Sequence, residues 1–373
     1  MVKNFGFTDY KIELVSLSEK MKNTFCYFLF FIVLLTNLCC TKPEETGQLQ
    51  SSDKEPYVIT FAGDVNGFAD GTSNLARFSG PAGLAIDLLG NIIVGDGYNN
   101  RVRKIDTSGN VATIAGNGSL GFKDGIASSA SFFYPAGVVV DPLGNIFVCD
   151  EFNHQIRKIT PGGDVSTFAG SRSSTSHRIE LKYPVAITID ADANLYVADQ
   201  DNNVIEKIGP DGTASQIGSG KQGYADGNAT TASFYTPTGV VCDKFGNVFV
   251  ADRGNNRIRK IAVDGTVSTI AGSGSLGSGD GISTSATFNG LAHIAVDDSS
   301  NLYVTQYEDH KIRKITAAGY VSTFSGTGLK GRKDGPVSTA EFSHPTAITI
   351  DKKGNIFITE IGNNLIRKIV IND

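Results

Sequence analysis

The sequence predicts an all-β protein, a six-bladed β-propeller of four-stranded antiparallel blades. Residues 237–288 contain four short runs rich in Val, Ile and Phe, separated by Gly, Asp and Asn, which is typical of an antiparallel meander. Equivalent segments, 49 to 54 residues apart, start at Pro81, Pro135, Pro184, Pro237, Leu291 and Pro345. Six copies of a four-stranded unit indicate a propeller, whose core is divided among the interfaces between blades.

Each strand of the repeat has its own signature. The innermost strand is almost continuously apolar, as in residues 83–87 (GLAID), which is expected of a strand packed on both faces. A turn rich in Gly or Asn leads to a second strand such as IFV. The third strand carries RKI in five copies, with Glu206 in place of the arginine in the third copy, and the outer strand reads VSTFAG or similar. Four connections between repeats share the pattern G-x-x-D-G-x-x-x-x-A-x-F.

The sixth copy ends after its third strand. The missing outer strand has its equivalent near the other end of the chain, because residues 57–63 (YVITFAG) match the outer-strand sequence. We therefore expect this segment to complete the last blade. Pairing the two ends would also remove an unpaired strand edge, which invites aggregation.

The repeats resemble the NHL-repeat propellers. The resemblance rests on the G-[VI]-x-[VI]-D start, the G-N-[IL]-[FY]-V turn and strand, and the D-x-x-N-[NH]-x-[IV]-R-K-I segment, and it covers residues 57–373. It implies the propeller fold and says far less about function, because one fold hosts unrelated activities.

Residues 1–40 read as a targeting segment of the bacterial lipoprotein type. A lysine precedes an apolar run over residues 25–38, and Cys39 and Cys40 stand where such a signal places its lipidated residue. Residues 1–20 carry no such pattern, so Met21 is a candidate start. An uncleaved membrane anchor and a secreted form are the alternatives. Residues 41–56 are polar and predict a flexible tether. The expected location is the cell envelope, lipid-anchored, or outside the cell.

An acidic or amide residue ends the second strand in every copy: Asp96, Asp150, Asp199, Asp252, Gln306 and Glu360. The carboxylates around one axis suggest a divalent cation site. Their recurrence favours a structural reading, in which each acid bonds its own turn or pairs with an RKI arginine between blades. The Asp of the D-G loops is predicted to cap a short helical turn, whose Phe packs between blades.

Asymmetry is the better guide to a ligand site. The third residue of the inner strand is small in five copies and His293 in the fifth repeat. Residues that could line the channel mouth with it are Tyr134, Tyr183, His344, Gln306 and Glu360. A hydrogen-bonded structural role for His293 stays open. Cys149 and Cys242, in blades two and four, are predicted to be buried free thiols.

Composition and motifs favour binding over catalysis. The net charge of −5 argues against nucleic-acid binding, which depends on Lys and Arg. None of the serine-hydrolase or zinc-protease motifs is present. We expect a monomeric envelope lipoprotein, without a cofactor, whose propeller binds a protein, peptide or glycan. The alternatives are a metal-dependent lactonase- or lyase-like enzyme with a channel site around His293, and a purely structural component.

Overall fold

The computed structural model describes residues 55–172, 179–211 and 213–371, and these residues form six antiparallel sheets. The inner strands contact one another in cyclic order, and the sixth contacts the first. The described part of the chain is therefore a closed six-bladed β-propeller, as the repeats predict. No helix within these ranges has the length and hydropathy of a membrane span. The predicted targeting segment, with Cys39 and Cys40, lies outside the described residues.

Each blade is a meander that runs from an inner strand at the channel to an outer strand at the periphery. The first three blades consist of Pro81–Ile86, Ile92–Asp96, Arg101–Ile105 and Asn110–Ala115; Pro135–Val140, Ile146–Asp150, Gln155–Ile159 and Asp164–Gly170; and Pro184–Ile189, Leu195–Asp199, Val204–Ile208 and Ala214–Ile217. Blades 4 and 5 consist of Pro237–Cys242, Val248–Asp252, Arg257–Ile261 and Val267–Ala271; and Leu291–Val296, Leu302–Gln306, Lys311–Ile315 and Tyr320–Ser325. Blade 6 consists of Pro345–Ile350, Ile356–Glu360, Leu365–Val370 and Tyr57–Ala62.

The N-terminal strand closes the ring, which confirms the prediction from residues 57–63. Tyr57–Ala62 pairs antiparallel with Leu365–Val370, and Tyr57 lies opposite Val370. Val58 is fully buried in the cluster between blades 5 and 6. The two ends of the propeller are therefore joined by backbone hydrogen bonds and by a shared core.

Four blades have a fifth strand that the sequence did not predict. A two-residue strand from the D-G loop pairs with the outer strand of the blade that follows it. These strands are Gly71–Thr72, Gly125–Ile126, Gly281–Ile282 and Gly335–Pro336, in blades 1, 2, 5 and 6. Each connection is thus fastened along the outer edge of a blade before it returns to the channel.

The core lies between blades, and the inner strands approach one another closely. A Cβ atom at Gly83 would lie 2.0 Å from the carbonyl oxygen of Ala136, so only glycine fits there. Phe132 of the D-G loop is fully buried with Ile93 of blade 1 and Val148 of blade 2, as predicted. Cys149 is buried and Cys242 half-buried, and both are free thiols.

A buried arginine links two acids within most blades. In blade 2, the Arg157 guanidinium donates to Asp150 at 2.7 Å and to Asp124 of the D-G loop at 2.6 Å. Asp124 also accepts the N–H of Thr167 in the outer strand, at 3.1 Å. Equivalent arginines in blades 1, 4, 5 and 6 are Arg103, Arg259, Arg313 and Arg367, all fully buried. We call each set of an arginine and its two partners an arginine triad; in blade 5 the inner partner is Gln306.

The arginine triads confirm the pairing of acid and arginine but correct two details. The pairs lie within a blade rather than between blades, because strand two and strand three are neighbours in one sheet. The D-G aspartate does not act as a helix cap. It accepts hydrogen bonds from the arginine and from the outer strand, a contact that spans 33 or 43 residues and that no local pattern reveals.

Replacing Arg157 by Met leaves the carboxylate of Asp150 buried without its counter-ion. We expect Arg157→Met to lower the free energy of unfolding by about 3–5 kcal/mol, because one half of a buried ion pair is removed. The neighbouring Lys158 is only partly buried, so Lys158→Met should change it by no more than about 0.5 kcal/mol. Urea unfolding followed by far-UV circular dichroism measures both.

Adding Asp150→Asn to Arg157→Met should recover part of the loss, because the unpaired charge is then gone. Equal losses in Arg157→Met and Lys158→Met would contradict the role assigned to the arginine triad.

Candidate functional site

A cavity of about 350 Å³ opens at the channel end where the loops after the second strands converge. We call it the mouth cavity. Every inner strand contributes its second residue to the lining: Ala82, Ala136, Val185, Thr238, Ala292 and Thr346. These side chains are small or β-branched, so they leave room at the axis.

The rest of the lining comes mainly from the loops that follow the second strands. At the first position after the strand-ending acid or amide, the six blades carry Gly97, Glu151, Gln200, Arg253, Tyr307 and Ile361. All but Gly97 line the mouth cavity, together with Tyr98 and Phe152 one residue further on. No two blades share a residue type at this position. The sequence analysis did not name this position as part of the site. It could have been found from the sequence, because a position that differs in every repeat stands directly after one that is nearly constant.

Two of the predicted site residues, Tyr134 and His293, line the mouth cavity. The N–H of His293 donates to Thr305 Oγ1 at 2.9 Å. Its Nδ1 is buried and has no hydrogen-bond partner among the described residues. Burial lowers the pKa of the imidazole from 6.5 to about 4, so His293 is neutral near pH 7.

Tyr183 and His344 lie at the rim and support the lining. Both have φ in the left-handed region, and each donates its N–H to a histidine Nδ1 of the preceding blade, His154 at 3.0 Å and His310 at 3.2 Å. The Tyr183 ring packs on Phe152, with centroids 5.7 Å apart, and the His344 ring packs on Tyr307 at 4.5 Å. Tyr183 and His344 therefore contact the preceding blade through these histidines and pack against two aromatic side chains that line the cavity, Phe152 and Tyr307.

The structure does not bring Gln306 and Glu360 into the mouth cavity. Both are fully buried. Gln306 accepts a hydrogen bond from Arg313 at 2.7 Å, and Glu360 pairs with Arg367 at 2.8 Å. Burial raises the pKa of Glu360 to about 7 although Arg367 opposes the shift. Both residues occupy the inner position of an arginine triad, which corrects their predicted place at the channel mouth.

Opposite charges stand on two sides of the mouth cavity. Glu151, on blade 2, is half-buried, and burial together with the negative charge of Asp201 raises its pKa from 4.5 to about 7. Arg253, on blade 4, is half-exposed and lies 3.5 Å from Glu308 at the rim.

Three aromatic rings pack together at the mouth cavity. The Tyr134 ring lies between Tyr98 and Phe152, with centroid distances of 5.0 and 5.4 Å. Burial, and then the charge of Glu151, raises the pKa of the Tyr134 phenol.

The repeated acids do not form a cation site. In the described ranges, no group of three or more His, Cys, Asp or Glu side chains is placed to hold a metal ion. Each acid instead faces its own blade. Asp150, for example, accepts the N–H of Phe133 at 2.7 Å and the amide of Asn153 at 2.9 Å, besides pairing with Arg157.

Blade 3 departs from this arrangement. Glu206 is buried where the arginine stands elsewhere, so Asp199 has only hydrogen bonds, from the Lys182 N–H and the Asn202 amide, both at 2.7 Å. Burial, and to a smaller extent the negative charge of Glu206, raises the pKa of Asp199 from 3.8 to about 7. Burial also raises the pKa of Glu206.

Grooves on the opposite face are products of the repeat. One of about 480 Å³ lies between blades 3 and 4, and a similar one of about 310 Å³ lies between blades 1 and 2. Both are lined by the turns within blades, including the repeated aspartates Asp87, Asp190 and Asp243. The mouth cavity differs because its lining changes from blade to blade.

The NHL repeat family matches residues 78–105, 132–159 and 234–261. Each matched segment starts at the Phe that packs between blades and ends with the third strand of blade 1, 2 or 4. The chain contains NHL repeats in a six-bladed propeller.

The known proteins that resemble this NHL propeller in sequence or structure carry unrelated functional descriptions. It is 27% identical over 319 residues to protein SUPPRESSOR OF QUENCHING 1, chloroplastic, of Arabidopsis thaliana, covering 78% of this chain and 30% of that protein. The chain thus spans less than a third of that relative. An auxiliary nutrient binding protein of Bacteroides thetaiotaomicron has a similar structure, with a TM-score of 0.67, 16% identity, and 85% and 76% of the two chains covered. A streptogramin B lyase has a TM-score of 0.55 and 15% identity, with 86% and 99% covered.

These structural likenesses show the fold of the NHL propeller and no more. The matched segments contain the arginine and the inner aspartate of three arginine triads but not the D-G aspartate, and two of them include the variable positions of Glu151 and Arg253. The shared repeat accounts for part of the frame of the mouth cavity, whereas the residues that face a ligand must be interpreted from this chain alone.

Replacing Glu206 by Gln should reduce the loss of stability with rising pH. Asp199, whose pKa is raised from 3.8 to about 7, binds more proton in the folded than in the unfolded state between about pH 4 and 7. Burial also raises the pKa of Glu206, so this group acts in the same direction. The free energy of unfolding therefore falls as pH rises through that window. Glu206→Gln removes one such group and a negative charge near Asp199, so the fall should be smaller than in the wild type.

Urea unfolding at intervals from pH 5 to 8 measures this difference. The exposed Glu180 precedes the same blade, and Glu180→Gln should follow the wild-type curve. If the free energy of unfolding of Glu206→Gln falls with pH as steeply as that of the wild type, the protonation of Glu206 and Asp199 does not contribute to the pH dependence of stability.

Proposed function

We propose that this NHL propeller is a binding protein of the bacterial cell envelope and that the mouth cavity holds its ligand, a peptide, protein segment or glycan. The supporting observation is that the cavity is lined from five blades by a loop position whose residue type differs in all six blades. A structural device repeats with the fold, whereas a ligand site needs different groups on different sides. Pockets with aromatic walls and a few polar groups are typical of ligand sites.

The similarity to an auxiliary nutrient binding protein agrees with this proposal. At 16% identity it indicates a shared fold, and the ligand of that protein is not transferred to this chain. The aromatic side chains Tyr98 and Phe152 are 64% and 38% exposed at the mouth, which leaves ring surface accessible to a ligand.

A lyase- or lactonase-like reaction centred on His293 is the second candidate. Its supporting observation is the Nδ1 of His293, which is buried at the cavity without a partner in the described part of the chain. Glu151, which lines the same cavity from blade 2 and has a pKa of about 7, would be the proton donor or acceptor in such a reaction.

Membrane attachment through a lipidated cysteine completes the proposal. The apolar segment followed by Cys39 and Cys40 supports it. When the full chain is expressed in a bacterium fed an alkyne-tagged fatty acid, we expect the chain to be labelled and recovered with membranes. The Cys39→Ser/Cys40→Ser double variant should lose the label, and Cys149→Ser, whose thiol is buried in the propeller, should keep it. A label that survives the double substitution would contradict the lipid anchor.

Blocking the mouth should abolish ligand binding. Gln200→Trp places a large ring at the variable position of blade 3 without entering a blade interface. On arrays of defined peptides and glycans, we expect the ligands retained by the wild type to lose most of their signal with Gln200→Trp. Leu143→Trp, at a turn on the opposite face where Leu143 is already 80% exposed, should bind as the wild type does.

Retention of every array ligand by Gln200→Trp would place binding elsewhere and overturn the proposal. Turnover of a lactone by the wild type that is lost in His293→Ala would favour the enzyme instead.

A further inference from the structure

The two formal charges at the variable position are Glu151 and Arg253, and they have opposite signs. They begin equivalent 3-10 turns, Glu151–Asn153 in blade 2 and Arg253–Asn255 in blade 4, so the fold presents them from two sides of the same mouth. Blade 3 separates them and contributes the neutral Gln200. The ion pairs of the described residues do not include one between Glu151 and Arg253.

Glu151 has no counter-ion among the described residues. The charge that raises its pKa besides burial is Asp201, which is also negative. A carboxylate that is partly removed from water and unpaired is unfavourable unless a cation or hydrogen-bond donors approach it. Tyr98, Tyr134 and Phe152 pack together and line the same cavity as Glu151, and aromatic faces also attract cations. This side of the mouth is therefore suited to an ammonium group.

Arg253 is available on its own side. Its contact with Glu308 is long, at 3.5 Å, and both side chains are partly exposed, at 39% and 49%. Exposed ion pairs contribute little and exchange readily. A guanidinium can bind a carboxylate through two parallel hydrogen bonds. Other polar groups of the lining, such as Gln200, Thr238 and the neutral His293, can bond to amide groups between the two ends.

We propose that the mouth cavity binds a zwitterionic short peptide, with its ammonium group at Glu151 and its carboxylate at Arg253. The cavity volume of about 350 Å³ lies at the lower end of the usual range for ligand pockets, roughly 300–1,000 Å³. It therefore suits a peptide of a few residues rather than a folded partner. The inference depends on the proposed function and narrows its ligand to one class.

Titration calorimetry with the full chain tests the proposal without any substitution. The probe is the tripeptide alanyl-phenylalanyl-alanine, compared with its N-acetyl form, its C-terminal amide and the neutral saccharide maltotriose. We expect the free tripeptide to bind and each capped form to bind at least about tenfold more weakly, since a hydrogen-bonded charge is lost at one end. Maltotriose should not compete.

Substitutions then assign the two ends. Glu151→Gln should weaken binding of the free tripeptide about tenfold or more and leave that of the N-acetyl form within about twofold. Arg253→Gln should weaken the free tripeptide similarly and leave the amide unchanged. Glu308→Gln, which removes the rim partner of Arg253, should not weaken binding. Circular dichroism melting curves check that each variant is folded.

Equal affinity for free and capped peptides, no measurable binding of the tripeptide at millimolar concentration, or displacement by maltotriose would each overturn the zwitterion assignment. Displacement by maltotriose would leave the proposed function standing, with a saccharide as ligand. The proposed function fails separately, if Gln200→Trp retains every array ligand of the wild type.

Discussion

The buried arginine of the third strand is the interaction on which the rest of the propeller depends. In blade 2, Arg157 joins Asp150, at the end of the second strand, to Asp124 in the loop that arrives from blade 1. The same Asp150 accepts the N–H of Phe133, just before the inner strand. One guanidinium thus fixes the outer loop, the sheet and the approach to the channel. A buried ion pair adds little net stability compared with an apolar replacement, yet breaking it is costly. Its recurrence is therefore better explained by the positions it specifies than by the stability it supplies.

Because the arginine triads set the backbone at the channel mouth, the residue that follows each strand-ending acid or amide can vary without disturbing the fold. Glu151 follows Asp150, and Arg253 follows Asp252; both acids are fully buried and both followers line the mouth cavity. A rigid, repeated frame with a variable neighbour is how a scaffold presents different groups at exact positions. Blade 3 shows the limit of this tolerance. There Glu206 replaces the arginine, and Asp199 keeps its place through the Lys182 N–H and the Asn202 amide, at the expense of a raised pKa.

The sequence predicted most of the frame because repetition multiplies weak local signals. The strand sequences that mark the blade boundaries recur in every copy, and residues 57–63 match the recurring outer strand. The acid and the RKI arginine also recur, which is why their pairing could be predicted. The fifth strands could not be predicted from the sequence, because a two-residue strand such as Gly71–Thr72 is too short to show the alternation of apolar and polar residues that marks a strand. The partner of Asp124 did not emerge either, because the contact with Arg157 spans 33 residues. Of the predicted site residues, His293 and Tyr134 line the mouth cavity, whereas Gln306 and Glu360 take the structural place of the repeated aspartates. Repetition reveals the fold but draws attention to the repeated acids. Glu151, Gln200 and Arg253 are missed because each follows such an acid by one residue, at a position where the repeat pattern is lost.

The electrostatics of the mouth favour binding over acid–base chemistry at His293. A general base works best with a pKa near the operating pH, and the pKa of His293, at about 4, leaves a neutral and weakly basic ring. The pKa of Glu151, at about 7, has a different meaning. It reflects the cost of a carboxylate that is buried beside Asp201 without a cation. An ammonium group placed against Glu151 would offset both the burial and the repulsion, and would lower the pKa of the carboxyl group as it bound. The same arrangement that makes Glu151 an unfavourable charge in the propeller is therefore a source of affinity for a positively charged ligand group.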